Sequence, residues 1–154
     1  MDSVSGRHID RPAETDGNNS AAERTIPRKE HERPARRVLV LEPDTLLRWA
    51  ITETLRSSGH AVIEASDGVA AEGALRLVSG RIDVVLLAHD FPASPAFDVL
   101  AALHGVAPGR TVLMTTPDGA RLWKAGALAP GSRACLVKPF EMARLEGVVL
   151  NVCA

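Results

Sequence analysis

The stretch Ile82 to Pro92, IDVVLLAHDFP, constrains the fold more than any other. It has an acidic-led start, four apolar residues in a row and a polar break that ends in Pro. That pattern describes a strand buried on both faces, which delivers its last residues to a loop. Function is therefore expected near Ala88, where the strand ends.

The flanking sequence supplies the layers such a strand needs. Val38 to Leu41 is a short apolar run followed by Glu42, Pro43 and Asp44. Leu46, Leu47, Ala50, Ile51, Thr54 and Leu55 then recur with helical period, with Asp44 as N-cap and Gly59 as stop. Ala61 to Ala65 predicts a second strand, and Ser66, Asp67 and Gly68 turn the chain into a second helix over residues 69–78, ending at Gly80. Beyond Pro92 and Pro95, Phe97, Leu100 and Leu103 mark a third helix that ends near Gly105. Thr111 to Thr115 predicts a fourth strand, residues 120–128 a fourth helix carrying Leu122 and Trp123, and Ala134 to Val137 a fifth strand. Leu145, Val148, Val149 and Val152 form the apolar face of a last helix. Strands and helices in strict alternation predict an α/β fold, a doubly wound five-stranded parallel sheet. In such a sheet, function gathers outside the carboxyl ends of the strands.

Residues 1–36 differ in kind. They are rich in Arg, Glu, Asp, Ser, Asn and Pro and nearly lack large apolar side chains, so a disordered charged tail is expected ahead of a domain over residues 37–154. The end of this tail, PRKEHERPARR at 27–37, is basic but interrupted by Glu30 and Glu32. It reads as a solvated leader, with contact to an acidic partner as the sharper alternative. Across 154 residues the formal charge is -1, without the basic excess that duplex binding needs, so no nucleic-acid partner is expected. No apolar run approaches the roughly 18 residues of a membrane span, and the N-terminal region lacks the apolar stretch of a secretory signal. Cys135 and Cys153 have neither CxxC nor metal spacing. The expectation is a soluble, cytoplasmic protein with no membrane contact.

The strand ends offer Glu42 with Asp44 after the first strand, Ala88 after the third, Thr116 after the fourth, and Lys138, Pro139 and Phe140 after the fifth. VLVLEPD at 38–44, the ASDG turn at 65–68, DVVLLAHDFP at 83–92 and CLVKPF at 135–140, with the spacing from Thr116 to Lys138, resemble the CheY-like receiver domain of two-component response regulators. The resemblance runs from about Arg36 to Val152. It implies a flavodoxin-like (βα)5 fold and a phosphoryl-transfer switch. In that switch an Asp at the end of the third strand takes phosphate from a histidine kinase, and acidic residues after the first strand hold Mg²⁺. A Thr or Ser and a Lys then grip the phosphoryl oxygens.

This sequence departs from that pattern at the active end. Ala88 falls on the phosphoacceptor position, which makes the chain a pseudo-receiver by resemblance. The acidic pair falls on Glu42 and Pro43, and Pro43 brings neither a side-chain oxygen nor an N–H. Asp44, one residue on, is expected to cap the helix. Cys135 stands at the switch position, where the family has an aromatic residue, and Pro95 with Ala96 replaces the usual Asp-Gly. No metal is expected, Glu42 being the weak candidate ligand for Mg²⁺. Carboxylates at Glu42, Asp44 and Asp90 would repel one another, so Lys138 is expected to pair with Glu42 or Asp90. Thr116 then serves as a hydroxyl capping a strand end.

The remaining candidates read more plainly. His60 and His89 are expected at the surface. Cys135 reads as a buried inert thiol; a redox role would need a cation such as Lys138 beside it. Trp49 and Trp123 are expected to pack with partly exposed edges. Trp123 and Phe140 lie on the expected partner surface, from about Arg121 to Arg144. The expectation is a stand-alone receiver-like signalling module, not an enzyme, with no output domain after Val152. It would act by phosphorylation-independent contact with a histidine kinase or another regulator. One alternative is a phosphorylated switch using a displaced Asp90 or Asp44, although phosphoryl transfer tolerates displacement poorly. Another is a flavodoxin-like small-molecule-binding domain, against which the lack of a Gly-rich phosphate loop counts.

Overall fold

The computed structural model describes residues 35–78, 82–92, 98–107 and 109–153. The expected tail up to residue 34, and Gly80, Pro95, Ala96 and Phe97, lie outside the described residues. Five strands form one parallel sheet: β1 (Arg37–Leu41), β2 (Ala61–Ala65), β3 (Val84–Ala88), β4 (Thr111–Thr115) and β5 (Ala134–Val137). Their order is β2-β1-β3-β4-β5. Every residue of β3 and β4 is buried, whereas the edge strands β2 and β5 are partly exposed. The uninterrupted apolar run of β3 therefore belongs to the middle of the sheet, where both faces are covered.

Side-chain alternation divides the core into two layers. Val38, Val40, Val84, Leu86, Val112 and Met114 face α1 (Thr45–Ser57) and α5 (Met142–Cys153), which contribute Ile51, Leu55, Leu145, Val149 and Val152. Leu39, Leu41, Val85 and Leu87 face the other way. They meet Ala71 of α2 (Gly68–Leu77) and Val99 and Leu103 of α3 (Val99–Val106). The doubly wound sheet expected from the alternation and the flavodoxin-like architecture implied by the resemblance are thus the ones observed.

The helix starts follow from short polar side chains. Asp44, Asp67 and Asp98 accept backbone N–H bonds from Leu47, Ala70 and Ala101 at 2.8, 2.8 and 3.1 Å and so begin α1, α2 and α3. The fourth helix differs from expectation: α4 runs Pro117–Lys124 rather than over residues 120–128. Thr116 caps it, accepting from the Gly119 N–H at 3.2 Å, and Pro117 fits the first turn because it needs no N–H partner there. It stops early because Gly126 adopts φ +75, a conformation that does not continue a right-handed helix. Gly59, at φ +90, ends α1 in the same way.

The expected surface position of His60 and the expected packing of Trp49 and Leu46 are corrected. His60 is buried, 8% exposed, under the start of β1. Trp49 is 62% exposed and Leu46 is 74% exposed, because α1 buries Ile51, Thr52 and Leu55 on its other side. Among the described residues no helix is long and apolar enough to cross a membrane.

At Gly119 the packing leaves no room for a methyl group. A Cβ there would overlap Thr115 Oγ1 and lie 3.0 Å from the Thr115 Cβ, whose side chain is itself fully buried. Gly119→Ala should therefore destabilise the domain by about 1–3 kcal/mol. Gly73→Ala, in open space on α2, should stabilise it by up to about 1 kcal/mol. Urea denaturation of the two variants checks both signs.

Candidate functional site at the carboxyl ends of the strands

The strand order reverses between β1 and β3, which both run out toward one crevice. Leu41 lies beside Leu87, so Glu42 and Ala88 leave the sheet as neighbours. Glu42 is wholly buried. Its N–H donates to the Ala65 carbonyl at 3.2 Å, and its own carbonyl accepts from Arg48 Nη1 at 2.9 Å. The loop after β1 is thus tied to β2 on one side and to α1 on the other.

Lys138 enters from the far edge of the sheet. Its N–H donates to the Thr115 carbonyl at 2.7 Å, and the following Lys138–Pro139 peptide is cis. Its Nζ donates to Glu42 Oε1, forming an ion pair between a carboxylate with no exposed surface and an ammonium 23% exposed. A carboxylate buried this deeply requires such a partner, since leaving it ionised and unpaired would be costly. The other oxygen, Glu42 Oε2, has no hydrogen-bond partner, and neither has Thr115 Oγ1.

The remaining expected site residues do not join this pair. Ala88 is 1% exposed and packs in the core layer with Leu86 and Met114; its methyl offers no lone pair for nucleophilic attack. Asp44 Oδ1 is occupied by the Leu47 N–H, so this carboxylate is a helix cap. Asp90 is exposed on the turn after β3, 4.0 Å from His89 Nδ1. Thr116 is exposed and caps α4, rather than a strand end. Pro43 directs its carbonyl toward Arg48 Nη1 at 3.4 Å.

The Mg²⁺ implied by the family does not fit this donor set. Mg²⁺ takes near-octahedral oxygen ligation. Here Glu42 spends one oxygen on Lys138, Pro43 and Ala88 have no side-chain oxygen, and Asp44 is spent on its helix. Among the described residues no three His, Cys, Asp or Glu side chains gather as a metal site.

Cys135 is half-buried on the edge strand, and burial raises its thiol pKa, opposed in part by Lys124. The cation that acts on the thiol is Lys124 rather than the Lys138 that a redox role would call on, and its pull does not overcome burial. On the expected partner face, Trp123 and Phe140 are both half-buried, and Phe140 packs against the α1 and α5 layer. The large exposed apolar side chains there are Leu122, 51%, and Val137, 37%. Attention to the aromatic residues missed them, although an apolar residue ending an edge strand is a usable signal. Arg48 was also missed, because a side chain that bonds a backbone carbonyl leaves no mark in the residue pattern.

No family model matches the chain. The response regulator protein PmrA of Pseudomonas aeruginosa is 33% identical over 113 residues, which is 73% of this chain and 50% of PmrA; the chain thus spans about half the length of that relative. Among solved structures, the receiver domain of the sensor histidine kinase PA1611 from the same species has a magnesium ion coordinated in its active-site cleft. It superposes with a TM-score of 0.59 at 21% identity, over 78% of this chain and 98% of that one. A response regulator receiver protein from Burkholderia phymatum superposes with a TM-score of 0.63 at 30% identity, over 77% of this chain and 94% of the other. With that sheet order, that crevice and a receiver relative matched almost end to end, the chain belongs to the response regulator receiver family.

Proposed function

We propose that this receiver domain signals by protein contact alone, without phosphorylation and without catalysis of its own. The observation that carries the reading is Ala88. The family resemblance aligns the phosphoacceptor there, and a buried methyl at the end of β3 has no atom that can take a phosphoryl group. The pairing of Lys138 with Glu42 adds support. The cation that would grip phosphoryl oxygens is already paired with a buried carboxylate.

The partner is a histidine kinase or another regulator, and the contact face runs over α4, β5 and α5, where Leu122 and Val137 are exposed beside Trp123. Any switching is driven by the partner's unequal affinity for two conformations, because no covalent step is available. Asp44 is poorly placed as a displaced acceptor, since phosphorylating it would remove the cap of α1. Asp90 is free of that constraint and is the residue on which the competing reading stands.

Incubating residues 1–154 with Mg²⁺ and acetyl phosphate, read by intact mass and amide NMR, tests the proposal. The expected outcome is no phosphoryl adduct and unmoved resonances at Glu42, Ala88, Thr116 and Lys138. An adduct mapped to Asp90 or Asp44 would make the chain a phosphorylated switch instead.

A further inference from the structure

The amino-terminal end of the sheet, opposite the crevice, carries a buried titratable side chain that the proposed function leaves unused. His60 lies between α1 and β2 and is 8% exposed. Its N–H donates to the Leu55 carbonyl at 3.0 Å. Its Nδ1 accepts from the Arg36 N–H at 3.0 Å, and the N–H of the next residue, Ala61, donates to the Arg36 carbonyl at 2.9 Å. Both backbone polar groups of Arg36, the residue that leads into β1, are therefore held by residues 60 and 61.

The Arg36 bond selects one protonation state of the ring. An imidazole accepting at Nδ1 is neutral and carries its proton on Nε2. A second proton would convert Nδ1 to a donor facing the Arg36 N–H, and the hydrogen bond would become a repulsion between two donors. Among the described residues, the charged groups that act on the ring are Glu146, on α5, and Arg36 itself. Ser58 Oγ donates to Glu146 Oε1 at 2.6 Å and holds that carboxylate on the α1 side of α5.

We propose that His60 is a proton-operated latch: neutral, it ties Arg36 to the start of β2; protonated, it releases the Arg36 N–H just ahead of β1. Burial pushes the His60 pKa below its ordinary value; Glu146 pulls the other way and Arg36 adds to the lowering. The latched fold thus binds the proton less well than the open chain does. The latch contribution to stability is complete above the ordinary histidine value of about 6.5 and is lost as pH falls through the lowered one. This inference is independent of the proposed function, because it concerns the other end of the sheet.

Amide hydrogen exchange on residues 1–154, corrected for the intrinsic pH dependence of exchange, tests it. Between about pH 7.5 and pH 5, protection at Arg36 should fall, by up to about thirtyfold, while β3 amides keep theirs. His60→Asn, whose Oδ1 can accept the same N–H without titrating, should keep Arg36 protected at both values. Equal protection at both values in the unsubstituted chain, or the same loss in His60→Asn, would overturn the latch. Nitrogen chemical shifts of the His60 ring in the unsubstituted chain give a check that needs no variant. A proton on Nε2 alone at neutral pH is expected, and a proton on Nδ1 would overturn the proposal.

Discussion

A carboxylate removed from water needs a counter-charge, and Glu42, with no exposed surface, finds it in Lys138. The carboxyl end of the sheet is arranged around this pair. Glu42 follows β1 and Lys138 follows β5, so the contact reaches across the ends of β3 and β4 that lie between them in the sheet. The backbone at both ends of the pair is held as well, Glu42 through Ala65 and Arg48, and Lys138 through Thr115. The position that the family resemblance assigns to a phosphoacceptor holds the Ala88 methyl, and the counter-charge of Glu42 comes from a side chain of the protein itself.

Much of the fold was legible in the residue pattern because burial leaves a period. The continuous apolar run of β3 and the alternation of strands with helices are direct consequences of layers packing on both faces of a sheet. Asp44 as a cap and Gly59 as a stop were legible for a different reason, since one requires a short side-chain acceptor and the other a positive φ. The site was less legible. The pattern left Lys138 with two possible partners, because the distance from Lys138 to Glu42 or to Asp90 is set by the sheet order and not by separation along the chain. The misplacement of α4 has a related cause: the hydroxyl of Thr116 was assigned to the end of a strand when it begins a helix. His60 gave no signal, because a histidine that accepts a single backbone bond looks the same in sequence as one in solvent.

The two ends of the sheet carry different kinds of polar contact. At the carboxyl end an ion pair is enclosed and α4 is fitted closely to β4 through Gly119 and Thr115, which favours a fixed arrangement. At the amino-terminal end, Asp83 accepts from the Arg37 N–H at 2.8 Å and approaches Arg110 at 3.5 Å, while His60 holds Arg36. On the proposed reading, regulation rests with the surface that carries the exposed Leu122 and Val137 and with the contact between His60 and Arg36.

The account rests most directly on Glu42 and Lys138 acting as one unit, and a double-mutant cycle measures that. Glu42→Gln, Lys138→Met and the double variant would be compared by urea denaturation. The account predicts that Lys138→Met, which strands the buried carboxylate, costs about 3 kcal/mol or more, that Glu42→Gln costs less, and that the double change costs less than their sum by about 1–3 kcal/mol. Effects that add to within about 0.5 kcal/mol would mean that the two side chains are energetically independent, and would contradict it.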